Sequence, residues 1–454
     1  RLVGSEMCIR DRVATAILLA GWQLFAVIAN QPELIPSLPR LVRTLCEWLV
    51  SGSFYQSVGA TILRGVLGMS ISFVCAIGMA GLFARFEWVY ELFRPLLAIM
   101  RSIPVISFIL LALIFLNPES IPLMIAFLTM FPLLTENLTR GILDLRPGLS
   151  IMARQFHIRR SNVLFQIIYP QLKPFLYSGL ASAAGFGWRA IIMGEVLSQC
   201  AFGIGSEMKR AQNFIAVPEL LAWTIVAVFI SFFFDKGISK VADITPKISF
   251  ANEDQTIPTP TLSVLDTKDI SYQYGIQHFS HSFQKGIIYG ISAPSGKGKT
   301  TLLNLIGGIL LPTEGEIHPT RHFGIATIFQ QPQLLPHLTA EENIILPLSS
   351  FLTEEKARRI AQKHLQEMEM EPFGNRYPKE LSYGQQQRIA IARALAYPSP
   401  LLLKDEPFKG LDEALSHRII ERIREKQMKE ERIILFTSHN PDEIRLLADE
   451  VIYL

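Results

Sequence analysis

The long apolar runs of this chain constrain its fold most, and almost all of them lie before residue 236. A bilayer core of about 30 Å requires roughly 20 apolar residues in a helix, and several runs approach that length. Hydrophobic residues make up 49% of the 454 residues, and the mean hydropathy of +0.29 is high for a soluble protein. The sequence therefore predicts an all-α membrane bundle of about six helices, followed by a soluble half. We place the spans at 13–30, 57–83, 102–116, 121–134, 176–196 and 220–234.

Basic residues between the fourth and fifth predicted spans indicate the orientation of the bundle. An excess of Arg and Lys over acidic residues marks the cytoplasmic side of a membrane protein, so six spans place both termini in the cytoplasm. The net charge of +3 is too small to indicate a nucleic-acid partner, which leaves the lipid membrane as the partner that composition predicts. The basic residues are Arg140, Arg146, Arg154, Arg159, Arg160 and Lys173.

Two groups of residues carry little structural information. The four cysteines are far apart and form no CxxC pair, so by themselves they indicate neither a metal site nor a disulfide framework. Residues 1–12 resemble translated sequencing-adapter read-through, and we expect a non-native leader there. The cysteines are Cys8, Cys46, Cys75 and Cys200.

The segment 150–170, inside the basic loop, has a helical pattern of its own. It predicts short amphipathic helices that end at Pro170. Two interpretations stay open from the residues alone: an element that lies across a soluble domain and couples it to the membrane helices, or a loop that faces lipid headgroups. In the fifth span, small residues predict close helix packing. Arg189 and Glu195 in that span are candidates either for a transport pathway or for pairing at an interface.

The chain changes character after the last span. Residues 241–262 contain prolines and scattered polar residues, so they predict a linker after a membrane domain at 13–240. From 263 to 454, short strand-like runs alternate with amphipathic helices, which is typical of an α/β domain.

A phosphate-binding loop is predicted at 293–300, after the apolar run 286–291. Its glycines allow backbone N–H groups to wrap phosphates at a helix N-terminus, Lys299 reaches the β- and γ-phosphates, and the hydroxyl of Thr300 binds Mg²⁺. Ala293 stands where the pattern has its first glycine. The predicted nucleotide-binding residues here are Pro294, Ser295, Gly296, Lys297, Gly298, Lys299, Thr300 and Thr301.

A second acidic motif lies at 401–406, where three leucines precede Lys404, Asp405 and Glu406. This arrangement predicts a buried strand that ends in a Walker B pair. Asp405 would help to hold Mg²⁺, and Glu406 would act as the general base on the attacking water. Lys404 occupies a normally apolar position, and we expect its side chain to reach toward a strand end or solvent.

The segment 381–385, Leu-Ser-Tyr-Gly-Gln, resembles the LSGGQ signature of ABC ATPases, with Tyr383 in place of a glycine. The resemblance implies an α/β P-loop ABC ATPase domain at 263–454. It also implies that Ser382, Gly384 and Gln385 contact the γ-phosphate of the partner's ATP. Relatives in that family continue beyond the last residues here, 451–454, so we expect a clipped C-terminus.

Further residues fall in the order of the same family. Gln330 resembles the Q-loop glutamine that senses Mg²⁺ and water, Asp412 the D-loop aspartate, and His439 the switch histidine that reaches the γ-phosphate. Tyr274 matches the aromatic that stacks on adenine, with Tyr272 as its rival. Because each ATP would need motifs from two chains, the resemblance implies a homodimer with ATP and Mg²⁺ as cofactors.

The membrane half also shows a resemblance, over about residues 35–235. Residues 149–170 are similar to the EAA loop of binding-protein-dependent importer permeases: Ala153, Ile167 and Pro170 match. Among the departures, His157 stands where that loop has its glycine. The neighbouring pattern, with Arg-Ser-Ile-Pro at 101–104, is similar to nitrate, sulfonate and taurine importers. It implies an importer in the inner membrane, fed by an extracytoplasmic solute-binding protein.

Three functions stay open at this point. The first is import of a small solute such as nitrate, a sulfonate, taurine or a vitamin precursor. The second is an exporter half-transporter, which shares the domain order but uses long polar cytoplasmic helices that are not predicted here. The third is a membrane-tethered regulatory ATPase, suggested by the departures at Ala293, Tyr383 and Lys404.

Overall fold

The computed structural model describes residues 2–242, 246–255, 262–273, 275–294, 296–319 and 324–454. It divides the chain into two compact units. The first, the helical unit, consists of Arg1–Leu145 and Leu172–Thr245, and the second, the mixed unit, of Arg146–Gln171 and Pro246–Leu454. The segment between the fourth and fifth predicted spans therefore packs with the C-terminal half of the chain.

The secondary structure is helical up to residue 242 and mixed from residue 264 onward. The helices are α1 (Leu2–Ala29), α2 (Leu38–Trp48), α3 (Gly52–Arg85), α4 (Glu87–Ser102), α5 (Val105–Phe115), α6 (Ile121–Leu143), α7 (Pro147–Gln155), α8 (Arg160–Asn162), α9 (Tyr169–Ser198), α10 (Ile204–Asn213), α11 (Val217–Ala242), α12 (Lys299–Ile306), α13 (Ala340–Leu348), α14 (Glu354–Glu367), α15 (Tyr383–Ala396), α16 (Glu413–Glu430) and α17 (Pro441–Leu447). The strands are β1 (Val264–Tyr272), β2 (Ile276–Gln284), β3 (Ile288–Ser292), β4 (Glu314–His318), β5 (Ala326–Ile328), β6 (Leu401–Asp405), β7 (Ile433–Thr437) and β8 (Glu450–Tyr453).

Within the described residues, four helical runs are long and apolar enough to cross a membrane, and they include α3, α6, α9 and most of α11. A fifth span exists if α4 and α5, which meet at 94°, count as one. The break lies at Ile103 and Pro104, because a residue before proline is disfavoured in helical conformation and Ile103 has ψ 130°. The predicted span 13–30 falls on α1, whose apolar stretch Ala16–Ala29 is shorter. The all-α membrane fold is confirmed, with a helix count close to six.

Small residues bring the long helices of this unit close together. A Cβ atom on Gly68 of α3 would lie 2.7 Å from that of Ala126 in α6, and a Cβ atom on Gly194 would lie 3.1 Å from the backbone of Pro122. Close backbone approach is how helices associate in lipid, because the hydrophobic effect does not drive apolar helices together there. Of the small residues predicted in the fifth span, Gly179 and Gly187 serve the same packing, because a Cβ atom on the first would lie 3.0 Å from Asn137 Cβ and one on the second would clash with Met130 Cε.

Glu195 is completely buried in an ion-pair network at one end of the helical unit. Its carboxylate accepts hydrogen bonds from Thr61 Oγ1 (2.9 Å), Arg64 Nη1 (2.7 Å) and the Gly205 backbone N–H (2.9 Å). Arg64 also pairs with Glu119 at 2.7 Å. Of the two roles that the sequence left open for Glu195, this structure favours pairing, because a buried carboxylate needs such partners.

The mixed unit is built on a parallel five-stranded sheet in the order β5-β6-β7-β3-β8. β6 and β7 are almost entirely buried, as expected for parallel strands covered on both faces. A separate antiparallel sheet has the order β2-β1-β4. In such α/β sheets, ligands bind beyond the carboxyl ends of the strands, so the loops after β3, β6 and β7 share one edge. The predicted α/β fold is confirmed.

The segment 146–171 begins with α7, which ends in a Schellman turn. The N–H of Ile158 donates to Ala153 O at 2.9 Å and the N–H of His157 to Arg154 O at 3.2 Å. His157 has φ 47°, in the left-handed region that favours glycine, which explains why the importer loop has glycine there. The prediction that the helices end at Pro170 is wrong. A π-helical turn leads into α9, whose first turn accommodates the proline because its first N–H groups need no helical partner.

Residues 246–255 pack along the mixed unit and hold the segment 146–171 in place. Asn162, which is 1% exposed, donates to Ser249 O and to Ser349 Oγ at 2.8 Å each, and accepts from Ser249 N at 2.8 Å. Further along, Ala251 N donates to Ser349 O at 3.0 Å. One buried amide thus ties the segment 146–171, residues 246–255 and the end of α13 together.

Candidate nucleotide-binding site

The loop between β3 and α12 carries the predicted phosphate-binding residues. Gly296 and Gly298 have φ 82° and 90°, and a Cβ atom on Gly298 would lie 2.6 Å from the backbone oxygen of Gly275, so glycine is required there. Lys299 begins α12, is only 8% exposed, and its Nζ donates to Ala293 O at 2.7 Å. The N-terminus of α12 and this lysine provide the positive end that phosphates need.

Asp405 joins the phosphate-binding loop to the sheet. Its Oδ2 accepts from Thr300 Oγ1 at 3.0 Å, and its Oδ1 accepts from Thr437 Oγ1 at 2.8 Å. β6 and β7 are neighbours in register at Asp405 and Thr437, which explains the second bond. Hydroxyl and carboxylate oxygens at this distance are the ligands that Mg²⁺ prefers, so Thr300 and Asp405 fit the predicted metal role.

Glu406 follows Asp405 with φ 47°, an uncommon conformation for a non-glycine residue. Its carboxylate lies 3.0 Å from His439 Nε2 and 3.3 Å from Lys409 Nζ, and the Gln330 side chain also hydrogen-bonds to it. Burial alone would raise the pKa of Glu406, but these hydrogen bonds and the charges of Lys409 and His439 lower it below its ordinary value. The group is therefore an ionised base at neutral pH.

The signature segment contacts these groups at Gln330, whose backbone carbonyl accepts from the Tyr383 hydroxyl at 2.8 Å, while its other polar residues cap a helix. Ser382 caps α15: its Oγ accepts from Gln385 N at 3.3 Å, and Gln385 Oε1 accepts from Ser382 N at 2.9 Å. Asp412 caps α16 by accepting from Leu415 N at 2.9 Å. In the described part of the chain, no hydrogen bond or ion pair joins Ser382, Gly384 or Gln385 to Lys299, Thr300, Asp405 or Glu406.

Lys404 departs from its predicted position. It is 0% exposed, its Nζ has no hydrogen-bond partner, and the expectation that it reaches solvent or a strand end is wrong. Side chains alternate along β6, so Lys404 points to the face opposite Asp405, under helices that leave no exit to water. Burial, with a contribution from the charge of Arg432, lowers the pKa of Lys404 to about 7.

A cavity of about 270 Å³ adjoins the candidate magnesium site. Thr300, Gln330 and Asp405 line one side of it, and Gly148 and Ile151 of the segment 146–171 line another. A Cβ atom on Gly148 would lie 2.7 Å from Gln333 Cδ, so this segment approaches the loop after β5 closely. The segment that follows α6 in the chain thus reaches the nucleotide site.

The predicted residues therefore form two groups. Lys299, Thr300, Asp405, Glu406, Gln330 and His439 converge, while Ser382, Gly384, Gln385 and Asp412 lie on the starts of α15 and α16. Pro294 and Lys297 are exposed in the loop, with Lys297 N donating to Pro294 O at 3.3 Å, and Thr301 is half-buried on α12. Tyr274 and Ser295 lie outside the described residues, and Tyr272 is half-buried at the end of β1.

Sequence reasoning missed two residues of this site. Thr437 accepts from the Glu406 backbone N–H at 3.2 Å as well as donating to Asp405, and Lys409 pairs with Glu406. The position of Thr437 two residues before His439, at the end of a buried run, was a usable signal. No sequence pattern pointed to Lys409, because its contact with Glu406 depends on the conformation of the turn after β6.

Comparisons with known proteins find matches to both halves of the chain. A family model described as "ABC transporter" matches residues 276–409, and one described as "Binding-protein-dependent transport system inner membrane component" matches residues 71–235. An uncharacterized ABC transporter ATP-binding protein of Methanocaldococcus jannaschii is 34% identical over 201 residues, which are 40% of this chain and 85% of that protein. A thiamine import ATP-binding protein of Yersinia pseudotuberculosis is 34% identical over 205 residues, 42% of this chain and 86% of that protein.

Other relatives are longer than the matching region. An Fe(3+) ions import ATP-binding protein of Rhizobium etli is 35% identical over 189 residues, which are 39% of this chain and 54% of that protein. A solved dimeric ATP-binding cassette bound to ADP and Pi is 32% identical and has a TM-score of 0.39, covering 42% of this chain and 94% of the cassette. These findings identify a membrane protein whose C-terminal domain is of the ATP-binding class. The chain belongs to the ABC transporter family and joins a binding-protein-dependent permease domain to an ABC ATPase domain in one polypeptide.

Proposed function

We propose that two copies of this chain form an ATP-driven importer of a small solute. The observation that supports the proposal is the cavity lined by Thr300, Gln330 and Asp405 together with Gly148 and Ile151, because the last two belong to a loop between membrane helices in sequence and yet adjoin the candidate nucleotide site. The two matched family models, and relatives named as import proteins for iron, glucose and thiamine, support the direction of transport.

The residues of the site suggest how hydrolysis occurs. The phosphates of ATP lie at the N-terminus of α12, with Lys299 on the terminal phosphates and Thr300, Asp405 and Gln330 positioned to hold Mg²⁺. When bound, Mg²⁺ neutralises the charge that develops on the phosphates. The ionised Glu406 orients and deprotonates the attacking water, and His439 lies beside it to contact the γ-phosphate.

The separation of the signature segment from the phosphate-binding loop supports a dimer. The Ser382 hydroxyl accepts a bond within its own chain but keeps its proton free to donate to a phosphate oxygen of a partner's ATP. The start of α15 adds a helix N-terminus for the same phosphate. We infer that ATP bridges two identical chains and that hydrolysis releases them.

The remaining assignments extend the permease match. We propose an inner-membrane location with the mixed unit in the cytoplasm, and delivery of solute by an extracytoplasmic binding protein. Nitrate, sulfonates, taurine and vitamin precursors are the substrate classes to test first. A relative named as a thiamine import protein adds thiamine itself to the substrates to be tested.

Reconstitution in proteoliposomes tests the proposal. We expect Mg²⁺-dependent ATP hydrolysis that increases when a solute-loaded binding protein is present, together with uptake of the solute. Lys299→Ala should abolish both, because it removes the cation of the phosphate-binding loop, whereas Lys285→Ala changes only an exposed pair with Glu431. Export of solute would indicate the exporter, and hydrolysis that no solute stimulates would indicate the regulatory ATPase.

Replacement of Asn162 tests whether the loop transmits hydrolysis to the helices. Asn162→Ala removes two bonds to the backbone of Ser249 and the bond to the fully buried Ser349 Oγ, which together costs about 1–3 kcal/mol and loosens the segment 146–171. We expect a lower ratio of solute transported to ATP hydrolysed, measured in the same proteoliposomes. Asn213→Ala, at the exposed end of α10, is the control. An unchanged ratio in Asn162→Ala would contradict the coupling role.

A further inference from the structure

Tyr383 replaces a glycine of the signature segment, and its side chain makes a contact that glycine cannot make. The hydroxyl of Tyr383 donates to the backbone carbonyl of Gln330 at 2.8 Å. Tyr383 is the first residue of α15, and Gln330 follows β5, so the bond joins two parts of the mixed unit that are 53 residues apart in sequence. The side chain is 42% exposed, so burial alone does not fix its position.

Gln330 is hydrogen-bonded through both its side chain and its backbone. Its side chain hydrogen-bonds to Glu406, the proposed general base, and its backbone carbonyl accepts from Tyr383. A displacement of the signature segment can therefore shift Gln330, whose side chain contacts the proposed base Glu406. Hydrogen bonds of this length depend on geometry and weaken when the donor moves or turns.

The ring of Tyr383 also contacts the loop that leads to Asp412. A Cβ atom on Gly410 would lie 2.7 Å from Tyr383 Cδ1, and Gly410 has φ 80°, so the ring packs directly on a glycine backbone. The neighbouring Gly384 approaches the same backbone, since a Cβ atom there would lie 2.6 Å from Gly410 O. The start of α15 thus rests on the segment 410–412 as well as on Gln330.

We propose that Tyr383 is a positioning residue that couples the two nucleotide sites of the dimer. This inference rests on the proposed function, in which Ser382 and Gly384 bind the partner's ATP while Gln330 and Glu406 act on the chain's own ATP. Binding of the partner's γ-phosphate at the start of α15 moves or fixes Tyr383. The hydroxyl transmits that change to Gln330, so occupancy of one site sets the geometry of the other.

The substitution Tyr383→Phe isolates the hydroxyl, because it keeps the ring on Gly410 and removes only the donor. ATP hydrolysis is measured against ATP concentration in full-length protein reconstituted in lipid with Mg²⁺. We expect wild-type protein to hydrolyse ATP with a Hill coefficient above about 1. In Tyr383→Phe we expect the Hill coefficient to fall to about 1. We expect kcat to stay close to that of the wild type.

Two further variants define what the hydroxyl contributes. Tyr383→Gly restores the residue of the signature pattern and removes both hydroxyl and ring; we expect the same loss of cooperativity as in Tyr383→Phe. Tyr453→Phe removes the same group from a tyrosine that is 79% exposed on β8, and its curve should match the wild type. Unfolding temperatures of all variants separate a folding defect from a change in coupling.

The outcomes distinguish this inference from the function on which it rests. Absence of hydrolysis in the wild type refutes the proposed function itself. Hydrolysis without cooperativity in the wild type, or an unchanged Hill coefficient in Tyr383→Phe, overturns only the coupling role of Tyr383. Loss of cooperativity in Tyr383→Gly but not in Tyr383→Phe also overturns it, because the ring and not the hydroxyl then carries the effect.

Discussion

Glu406→Gln should reduce ATP hydrolysis by about 10²–10⁴-fold while ATP binding persists, since that is the usual contribution of a general base. The amide of glutamine keeps the shape of the side chain, and its oxygen can still accept from Lys409, but it cannot take a proton from water. Single-turnover hydrolysis and retention of radiolabelled ATP on reconstituted protein measure the two effects. We expect the variant to accumulate as an ATP-bound dimer, because in the proposed mechanism hydrolysis is the step that releases the chains.

The matched control for this prediction is Glu421→Gln, which makes the same change at an exposed position of α16. Its rate should equal that of the wild type. The lowered pKa of Glu406 adds a pH test: the folded site keeps its base ionised above that pKa, so the rate should not fall as pH decreases until below the usual glutamate range. Normal turnover in Glu406→Gln would remove Glu406 from the role of base.

Lys404→Met should raise the stability of the mixed unit by roughly 3–5 kcal/mol at pH 7. The pKa of Lys404 is about 7 in the folded chain, compared with the ordinary 10.5, because its buried amine has no partner. Every tenfold weakening of proton binding in the folded chain corresponds to about 1.4 kcal/mol of unfavourable free energy. Methionine has a similar unbranched shape and fills the same space without a charge. Thermal unfolding of the full chain in detergent should show an increase of roughly 10 °C.

The pH dependence of stability distinguishes the removal of a buried charge from a change in packing, because packing does not depend on pH. Between about pH 7 and 10.5 the unfolded chain holds a proton on Lys404 that the folded chain does not, so wild-type stability should rise with pH across this window. Lys404→Met should lack that rise. Lys426→Met is the control: Lys426 also has a lowered pKa, about 8, but it donates to Leu395 O at 2.7 Å, so its replacement should destabilise. A flat difference between wild type and Lys404→Met from pH 7 to 9 would contradict the assignment.

Local sequence pattern was sufficient to predict much of the backbone conformation of the candidate nucleotide site. The glycines at 296 and 298 require positive φ, Lys299 and Thr300 must follow at a helix start, and three leucines before two acids specify a buried strand. These features arise within a few residues of chain, where the sequence alone sets the conformation. The same holds for the long apolar helices, because their length is fixed by the thickness of a bilayer.

Contacts between distant segments could not be predicted in this way. The segment 146–171 is flanked by membrane helices in sequence but packs with the mixed unit, because Asn162 and the apolar face of α7 find their partners there. The turn at His157 could have been predicted from the sequence, since the importer loop has glycine at that position. The π-helical turn that carries the chain through Pro170 left no comparable signal.

The two-part architecture and the order of the candidate nucleotide-binding motifs could be predicted from consecutive residues, because these set apolar length and short-range backbone geometry. Three features became visible only in the folded chain: Thr437 and Lys409 complete the acidic site, Lys404 is buried without a partner, and Tyr383 contacts Gln330. Each of these depends on which strands become neighbours and how closely helices cover them, and pairing across tens or hundreds of residues leaves no periodicity in the chain.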